Sequence, residues 1–187
     1  MTDMTESGLE RKFCRTPAPV RVGEDLEIEG YASLFGIKDT GGDVVERGAY
    51  TASLQALSKA GQSVKMLWQH RPEEPIGTWD EVRETEKGLY VKGRLLPDVA
   101  RACEAAALLR AGAIDGLSIG YRTVKATKDT KGQRLLNELE LWEVSLVTFP
   151  MLPEARVGAK GNEEPLDVML RDIAGAFEDA RAELART

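Results

Sequence analysis

One serine of this chain stands in a tract that suits a nucleophile. Ser118 follows Gly116 and a leucine and precedes an isoleucine and Gly120, a composition typical of a strand. Alternation along a strand places Ser118 on one face with Gly120 and Arg122, and turns the intervening apolar residues toward a core. Gly120 has no side chain, so we expect open space above the Ser118 hydroxyl, in which a peptide main chain could lie within reach of the serine oxygen. Most strand serines have no catalytic role, so the tract by itself gives only a hypothesis.

The chain contains a single histidine, and its position is the second feature with chemical potential. His70 ends the tract 63–70, whose alternation predicts a strand with His70 on the same apolar face as Met66 and Trp68. A histidine there can be a core-edge residue bonded to a backbone carbonyl. It can also be a general base, because its pKa near neutrality lets it accept a hydroxyl proton and return it to a leaving amine. The residues alone leave both interpretations open.

The composition limits the classes of function. The 187 residues suit one domain, with or without an appendage, and 42% hydrophobic with 30% charged residues is ordinary for a globular protein. The net charge of −6 argues against a nucleic-acid partner, since phosphate binding needs a clustered excess of Lys and Arg. No run approaches the roughly 18 apolar residues of a membrane span, and the chain does not open on an apolar targeting segment. We therefore expect a cytoplasmic protein with neither a nucleic-acid partner nor a membrane partner.

Metal and cofactor sites are not indicated by the residue spacing. Cys14 and Cys103, together with one histidine, do not make a zinc-ligand pattern or a disulfide framework. The loop 36–43 carries Asp39 and Asp43 among glycines but lacks the pattern of a calcium loop, so it is interpreted as a turn. We expect no metal and no cofactor.

The elements that position Ser118 and His70 follow from periodicity and turn signals. Strands are predicted at 26–35, 63–70, 76–83, 89–96, 116–125 and 134–149, with a turn at 71–75. Helices are predicted at 50–60 and 97–111, and a separate amphipathic helix after Pro165. This order favours an α+β fold, a mostly antiparallel sheet or barrel with flanking helices. The predicted segments are a flexible leader (1–20), a folded domain (21–158), and a linker with an amphipathic C-terminal helix (159–187).

Six tracts of the chain identify a family by their order, which is more specific than any one tract alone. They are residues 29–35, 42–50, 66–70, 77–79, 116–121 and 143–150. Together they resemble the tailed-phage prohead protease family, serine peptidases that mature capsids and are related in fold to herpesvirus assemblin. The resemblance covers about residues 28–155. It implies a closed, mostly antiparallel β-barrel flanked by helices, with residues 21–158 as the protease domain.

The resemblance also implies a location and partners. Such an enzyme acts in the cytoplasm of the bacterial host, inside the immature capsid. Its substrates are the scaffold protein or the scaffold-like N-terminal region of the major capsid protein, and commonly the enzyme itself. A homo-oligomer is compatible with this function.

Three residues match the catalytic positions of the family. The resemblance identifies Ser118 as the nucleophile, His70 as the general base and Glu143 as the third member, where herpesvirus relatives carry a second histidine. The oxyanion hole is not identified, since the arginine-rich turn of assemblin-like enzymes is represented here only by Arg156. Backbone N–H groups are the preferred alternative.

The strand 137–147 contains three glutamates, and strand alternation distinguishes among them. Alternation groups Glu138 and Glu140 with Trp142, and places Glu143 on the side that carries Leu139. That side is apolar, and a buried carboxylate needs a partner, which His70 would supply. The alternative is a bulge near Trp142 that turns Glu143 outward and brings Glu140 inward.

Two other functions compete with a peptidase. A catalytically silent assembly or scaffolding protein could use the same fold. An α/β-hydrolase would also show the letters Gly-x-Ser-x-Gly, but that fold needs a helix after the serine, and here strand-like residues follow. The joint presence of Ser118, His70 and Glu143 in the matching tracts favours the peptidase.

Overall fold

The computed structural model describes residues 10–14, 21–22, 26–39, 41–130 and 132–149, and every structural statement below concerns these residues. Their strands are β1 (Glu10–Cys14), β2 (Arg21–Val22), β3 (Glu27–Leu34), β4 (Asp43–Val45), β5 (Lys65–Trp68), β6 (Arg71–Glu84), β7 (Gly88–Leu95), β8 (Gly116–Lys128) and β9 (Arg134–Val147). Their helices are α1 (Thr51–Lys59) and α2 (Ala100–Arg110).

The strands of this part of the chain form one curled, mixed sheet. The order is β1-β8-β9-β5-β6-β7-β3-β2, and β4 pairs with β9 outside this path. Most pairs are antiparallel, whereas β4 and β5 both run parallel to β9. A mixed, sheet-dominated α+β architecture with few helices is therefore confirmed. The closed barrel is not shown, because the hydrogen-bonded path ends at β1 on one side and at β2 on the other.

Strand β9 lies at the centre of this arrangement. One edge pairs with β8, and the other pairs with β4 at its start and with β5 near its end. Between those two partners, the acceptors come from α1 and from Ala49, two residues before it. The amide of Leu139 donates to the carbonyl of Ala49 (2.9 Å), and that of Leu141 donates to the hydroxyl of Ser53 (2.9 Å). This fixes the backbone of β9 just ahead of Glu143, where pairing with β5 begins.

Helix α1 is capped by a side chain from another element. Glu84, at the end of β6, accepts hydrogen bonds from the amide of Tyr50 (2.8 Å) and the hydroxyl of Thr51 (2.7 Å). The carboxylate satisfies the amide of Tyr50 and interacts favourably with the dipole of the helix that follows. The helix that supports β9 is thereby tied to the hairpin of β6 and β7.

The elements predicted from the sequence are largely present. The helices at 50–60 and 97–111, the hairpin at 76–96 and the long strands ending near 125 and 149 are confirmed within a few residues. The turn at 71–75 is wrong, because β6 already begins at Arg71. The segment predicted as a leader contains β1, which pairs with β8. The C-terminal segment 159–187, including its predicted helix, lies outside the described residues.

The loop with two aspartates forms a turn, as expected. Asp39 accepts from the amide of Asp43 through its side chain (2.8 Å) and from the amide of Gly42 through its carbonyl (3.0 Å). Asp43 also accepts from Arg134 at 3.0 Å. Within the described ranges, no helix is long and apolar enough to cross a membrane.

Candidate active site

The register of three neighbouring strands brings the predicted site residues together. In the pairing of β8 with β9, Ser118 lies opposite Ser145 and Gly120 lies opposite Glu143. Residues directly opposite each other project from the same face of a sheet. Strand β5 runs along the other edge of β9, so its end, where His70 follows, lies beside the same face.

His70 reaches this face through a turn. Strand β5 ends at Trp68, and Gln69 and His70 both adopt left-handed conformations, with φ of 52° and 61°. Such conformations are unusual for residues other than glycine and cost roughly 1–3 kcal/mol each. Gln69 holds the turn in place, because its amide donates to the carbonyl of Leu146 (2.9 Å) and its side chain donates to Thr148 (2.7 Å).

This turn changes the face on which His70 lies. The sequence predicts a single row in which His70 continues the core face of Val64, Met66 and Trp68. The structure instead directs the ring to Glu143, on the face opposite the core residue Met66. The prediction that His70 lies at a strand end is confirmed, and the prediction that it shares the apolar face is wrong.

The carboxylate of Glu143 connects the histidine to a second hydroxyl. Its Oε1 lies 2.5 Å from Nδ1 of His70, and its Oε2 accepts a hydrogen bond of 2.6 Å from Ser145. The hydroxyl of Ser145 in turn accepts from the backbone amide of His70 at 3.1 Å. An ionised carboxylate can only accept, so a hydrogen bond to ionised Glu143 has to be donated by Nδ1 of His70.

Ser118 completes the cluster. Ser118 and His70 interact, and both are buried, with 0% and 6% of their surfaces exposed. Glu143 is 7% exposed, so the carboxylate also lies away from bulk water. A buried carboxylate is expensive unless its oxygens have partners, and here His70 and Ser145 provide them.

A bulge in β9 determines which glutamate joins the cluster. Gly120 pairs with Glu143 but Tyr121 pairs with Leu141, so Trp142 is an extra residue on β9, and it is 47% exposed. Before the bulge the core residues of β9 include Leu139 and Leu141, and after it they are Val144 and Leu146. The predicted alternation is therefore wrong across Trp142, since Glu143 lies on the face opposite Leu139. The bulge near Trp142, which the sequence left as the alternative, is present. It turns Glu143 toward His70 and does not bring Glu140 inward.

The other two glutamates of the strand lie elsewhere. Glu140 pairs with Arg122, and both side chains are substantially exposed. Glu138 and Glu140 are both only partly buried, unlike Glu143. The bulge thus places Glu143 rather than Glu140 beside His70.

Gly120 has a different role from the one predicted. A Cβ atom on Gly120 would lie 2.1 Å from Oε1 of Glu143 and within 2.9 Å of two further atoms of that side chain. The space beside Ser118 is therefore occupied by the carboxylate, and the expected open space for a substrate main chain is not found there. Glycine is required at this position because a Cβ atom would occupy the space that the Glu143 carboxylate takes while it contacts His70.

Two residues of this region were missed by the sequence reasoning. Ser145, fully buried, is two positions after Glu143 and therefore on its face of the strand, a spacing that could have identified it. Trp79, on β6, donates from its indole nitrogen to the carbonyl of Val144 (3.3 Å), between the acid and Ser145. Nothing in the sequence around Trp79 predicts that contact. The weak oxyanion candidate Arg156 lies outside the described residues.

Comparisons with known proteins agree on one family. The sequence profile of the caudovirus prohead serine proteases matches residues 16–167. The prohead protease of Enterobacteria phage HK97 is 34% identical over 161 residues, which are 84% of this chain and 70% of that protein. The capsid polyprotein of Pseudomonas phage PAJU2 is 35% identical over 104 residues, half of this chain and only 15% of the polyprotein.

A solved structure has a similar fold. The bacteriophage T4 capsid assembly protease superposes with a TM-score of 0.61 at 17% identity, covering 76% of this chain and 98% of that one. At this identity the likeness concerns the fold alone. The length of the family match and the extent of the similarity to the HK97 protein decide the assignment. This chain belongs to the caudovirus prohead serine protease family.

Proposed function

We propose that this protein is the serine endopeptidase of capsid maturation in its phage, with Ser118 as nucleophile, His70 as general base and Glu143 as the assisting acid. The observation that carries the proposal is the 2.5 Å contact between Nδ1 of His70 and Glu143, on a histidine that also interacts with Ser118. A hydroxyl, a base and an orienting acid in this order have the connectivity of a serine hydrolase triad. The family described above consists of serine proteases, which makes peptide bonds the natural substrate.

The chemistry follows from the roles of the three groups. As the Ser118 oxygen bonds to the carbonyl carbon of the substrate, its proton passes to Nε2 of His70. The imidazolium that forms is stabilised by the carboxylate of Glu143, and its proton then goes to the amine nitrogen as the peptide bond breaks. Water, activated by the same histidine, attacks the ester and releases the acyl product. No metal or cofactor takes part in these steps.

Burial strengthens the pairing of base and acid. Glu143 and His70 are each less than a tenth exposed, so solvent screens their interaction much less than it would at the surface. Ser145 holds the second oxygen of Glu143 and the backbone of His70 at the same time. The acid and the base are thus fixed relative to each other before any substrate arrives, which limits the reorganisation needed during catalysis.

The proposed substrate is the scaffold protein or the scaffold-like N-terminal region of the major capsid protein, together with this chain itself. The similarity to prohead proteases supports a substrate inside the immature capsid. The site of action is then the interior of the prohead in the host cytoplasm. The protein would reach it as a partner of the capsid or scaffold subunits.

Co-expression with the cognate major capsid protein tests the proposal. Wild-type enzyme should give a shortened capsid protein by mass spectrometry, and Ser118→Ala should leave it at full length. Ser33→Ala is the matched control, because Ser33 is also a strand serine with no exposed surface. This variant should cleave the capsid protein normally. Assembled shells with intact capsid protein in the wild-type sample would support the silent scaffolding function instead.

A further inference from the structure

His70, the proposed general base, lies in a hairpin turn of two residues. Trp68 at the end of β5 pairs with Arg71 at the start of β6, so Gln69 and His70 alone connect the two strands. Both have positive φ, 52° and 61°. Positive φ at both central residues characterises the type I′ turn, whose twist matches that of the flanking strands. The base is therefore the second central residue of a turn of this kind.

The residue types of this turn do not favour its backbone conformation. Type I′ turns strongly prefer Asn-Gly or Asp-Gly at the centre, because these residues adopt positive φ at little steric cost. Histidine tolerates positive φ better than most residues, but glutamine has no such tendency and is more stable at negative φ. A change of Gln69 to negative φ would redirect the chain at His70 and turn its ring away from Glu143. Contacts from outside the turn must therefore hold it.

Strand β9 and the residue after it supply these contacts. The backbone amide of Gln69 donates to the carbonyl of Leu146 (2.9 Å), and the amide of His70 donates to the hydroxyl of Ser145 (3.1 Å). The side chain of Gln69 binds Thr148 through both polar atoms of its amide. Its Nε2 donates to the Thr148 hydroxyl (2.7 Å), and its Oε1 accepts from the Thr148 backbone amide (3.4 Å). This pair of side-chain hydrogen bonds is called the Gln69–Thr148 clamp below.

We propose that Gln69 is a positioning residue for the general base, and that its clamp to Thr148 replaces the turn propensity that glutamine lacks. The inference rests on the function proposed above and adds what directs the ring of His70. The 2.5 Å contact between Nδ1 and Glu143 requires a fixed ring position. A misplacement of about 1 Å can lower a rate by about 10²-fold. Because the clamp acts on the base, its loss should lower kcat rather than raise KM.

Three substitutions of Gln69 separate the clamp from the turn propensity. Gln69→Ala removes the clamp and keeps a residue that disfavours positive φ, so kcat should fall at least about tenfold. Gln69→Asn shortens the side chain by one methylene and also loses the clamp, but asparagine adopts positive φ readily. Glycine does so without steric cost. Gln69→Asn and Gln69→Gly should therefore recover most of the rate that Gln69→Ala loses.

Thr148 tests the other half of the clamp. Thr148→Val removes the hydroxyl at nearly the same volume and should lower kcat in the wild-type background. In the Gln69→Asn background the same substitution should have little further effect, because no clamp is left to break. Thr148→Ser keeps the hydroxyl and should restore most of the rate. The cycle formed by Gln69→Asn and Thr148→Val thus measures the clamp as a coupling between the two positions.

A second readout needs no substrate. His70 is the one histidine of the chain, so the NMR signals of its ring are assigned directly. Gln69→Ala and Thr148→Val should weaken the hydrogen bond of Nδ1 to Glu143, and the Nδ1 proton should then exchange faster with water. Gln69→Asn should return the exchange close to the wild-type rate.

Three results would overturn the inference. They are wild-type kcat in both Gln69→Ala and Thr148→Val, equally slow cleavage by the alanine, asparagine and glycine variants, and a raised KM with unchanged kcat. If the wild type leaves the capsid protein intact, the proposed function has failed and the ring signals decide alone. Unchanged Nδ1 exchange in Gln69→Ala then overturns the inference, whereas faster exchange that Gln69→Asn reverses supports it. If Gln69→Ala does not fold, the cycle with Thr148→Val decides in its place.

Discussion

Replacing Gly120 with alanine tests whether the Glu143 carboxylate occupies the space directly above this position of β8. The added methyl would lie 2.1 Å from Oε1 and 2.8 Å from Cδ, distances at which atoms cannot coexist. The backbone of β8 is held by strands on both edges, so the Glu143 side chain has to move. Moving it breaks the 2.5 Å contact to His70.

The cost can be worked from these contacts. Overpacking a core costs about 1–3 kcal/mol, and a lost hydrogen bond to a charged group costs about 1.5–3 kcal/mol. Gly120→Ala should therefore lower the free energy of unfolding by about 2.5–6 kcal/mol. With Glu143 as the proposed assisting acid, its displacement should slow cleavage by about 10²- to 10⁴-fold. Most of the stability cost should vanish in a Glu143→Ala background, because the methyl then meets no carboxylate.

The four proteins to compare are the wild type, Gly120→Ala, Glu143→Ala and the double variant. Their unfolding in denaturant gives the coupling energy between positions 120 and 143, and capsid-protein cleavage gives the rate. Gly88→Ala is a useful control, since its Cβ would meet the carbonyl of Ser33 at 2.0 Å, where β3 and β7 pair. It should destabilise the fold without slowing cleavage per folded molecule. Equal costs of Gly120→Ala in the presence and absence of the Glu143 carboxylate would show that the carboxylate does not occupy this space, and so would wild-type cleavage by Gly120→Ala.

Three further predictions concern single groups. Glu143→Gln should leave a folded protein that cleaves the capsid protein at least about tenfold more slowly. Glu140→Gln alters only a surface ion pair and should cleave at nearly the wild-type rate. Slow cleavage by Glu140→Gln with normal cleavage by Glu143→Gln would reassign the acid to Glu140. Ser145→Ala should lower kcat more than it raises KM, because it removes the hydrogen bonds to Glu143 and to the His70 backbone. Ser145→Thr should restore part of the rate. Equal kcat in the wild type and both variants would show that Ser145 is only structural. Burial and a hydrogen bond to a glutamate raise the pKa of Tyr90 from 10.0 to about 12, so its contribution to stability is complete below pH 10 and is lost as pH rises toward 12. Tyr90→Phe should remove this part of the pH dependence of the free energy of unfolding, and an unchanged profile would contradict the assignment.

The sequence determined the elements and the chemical groups of this protein. Hydrophobic alternation and turn residues located the strands on both sides of Ser118 and the two helices, because these signals are local. The order of six tracts identified the family, and with it the three residues proposed to act together. At the site, within the described residues, alternation failed at the turn at His70 and at the bulge at Trp142.

Only the tertiary structure decided how these groups meet. The bulge at Trp142 selects Glu143, the left-handed turn aims His70, and Ser145 and Gly120 take roles that depend on a neighbouring strand. The pairing of β1 with β8 likewise joins segments about a hundred residues apart in sequence. Strand periodicity reports which side a residue faces, but it carries no information about register between distant strands. Register is set by long-range packing, and it is register that brings an acid, a base and a hydroxyl to one face of the sheet.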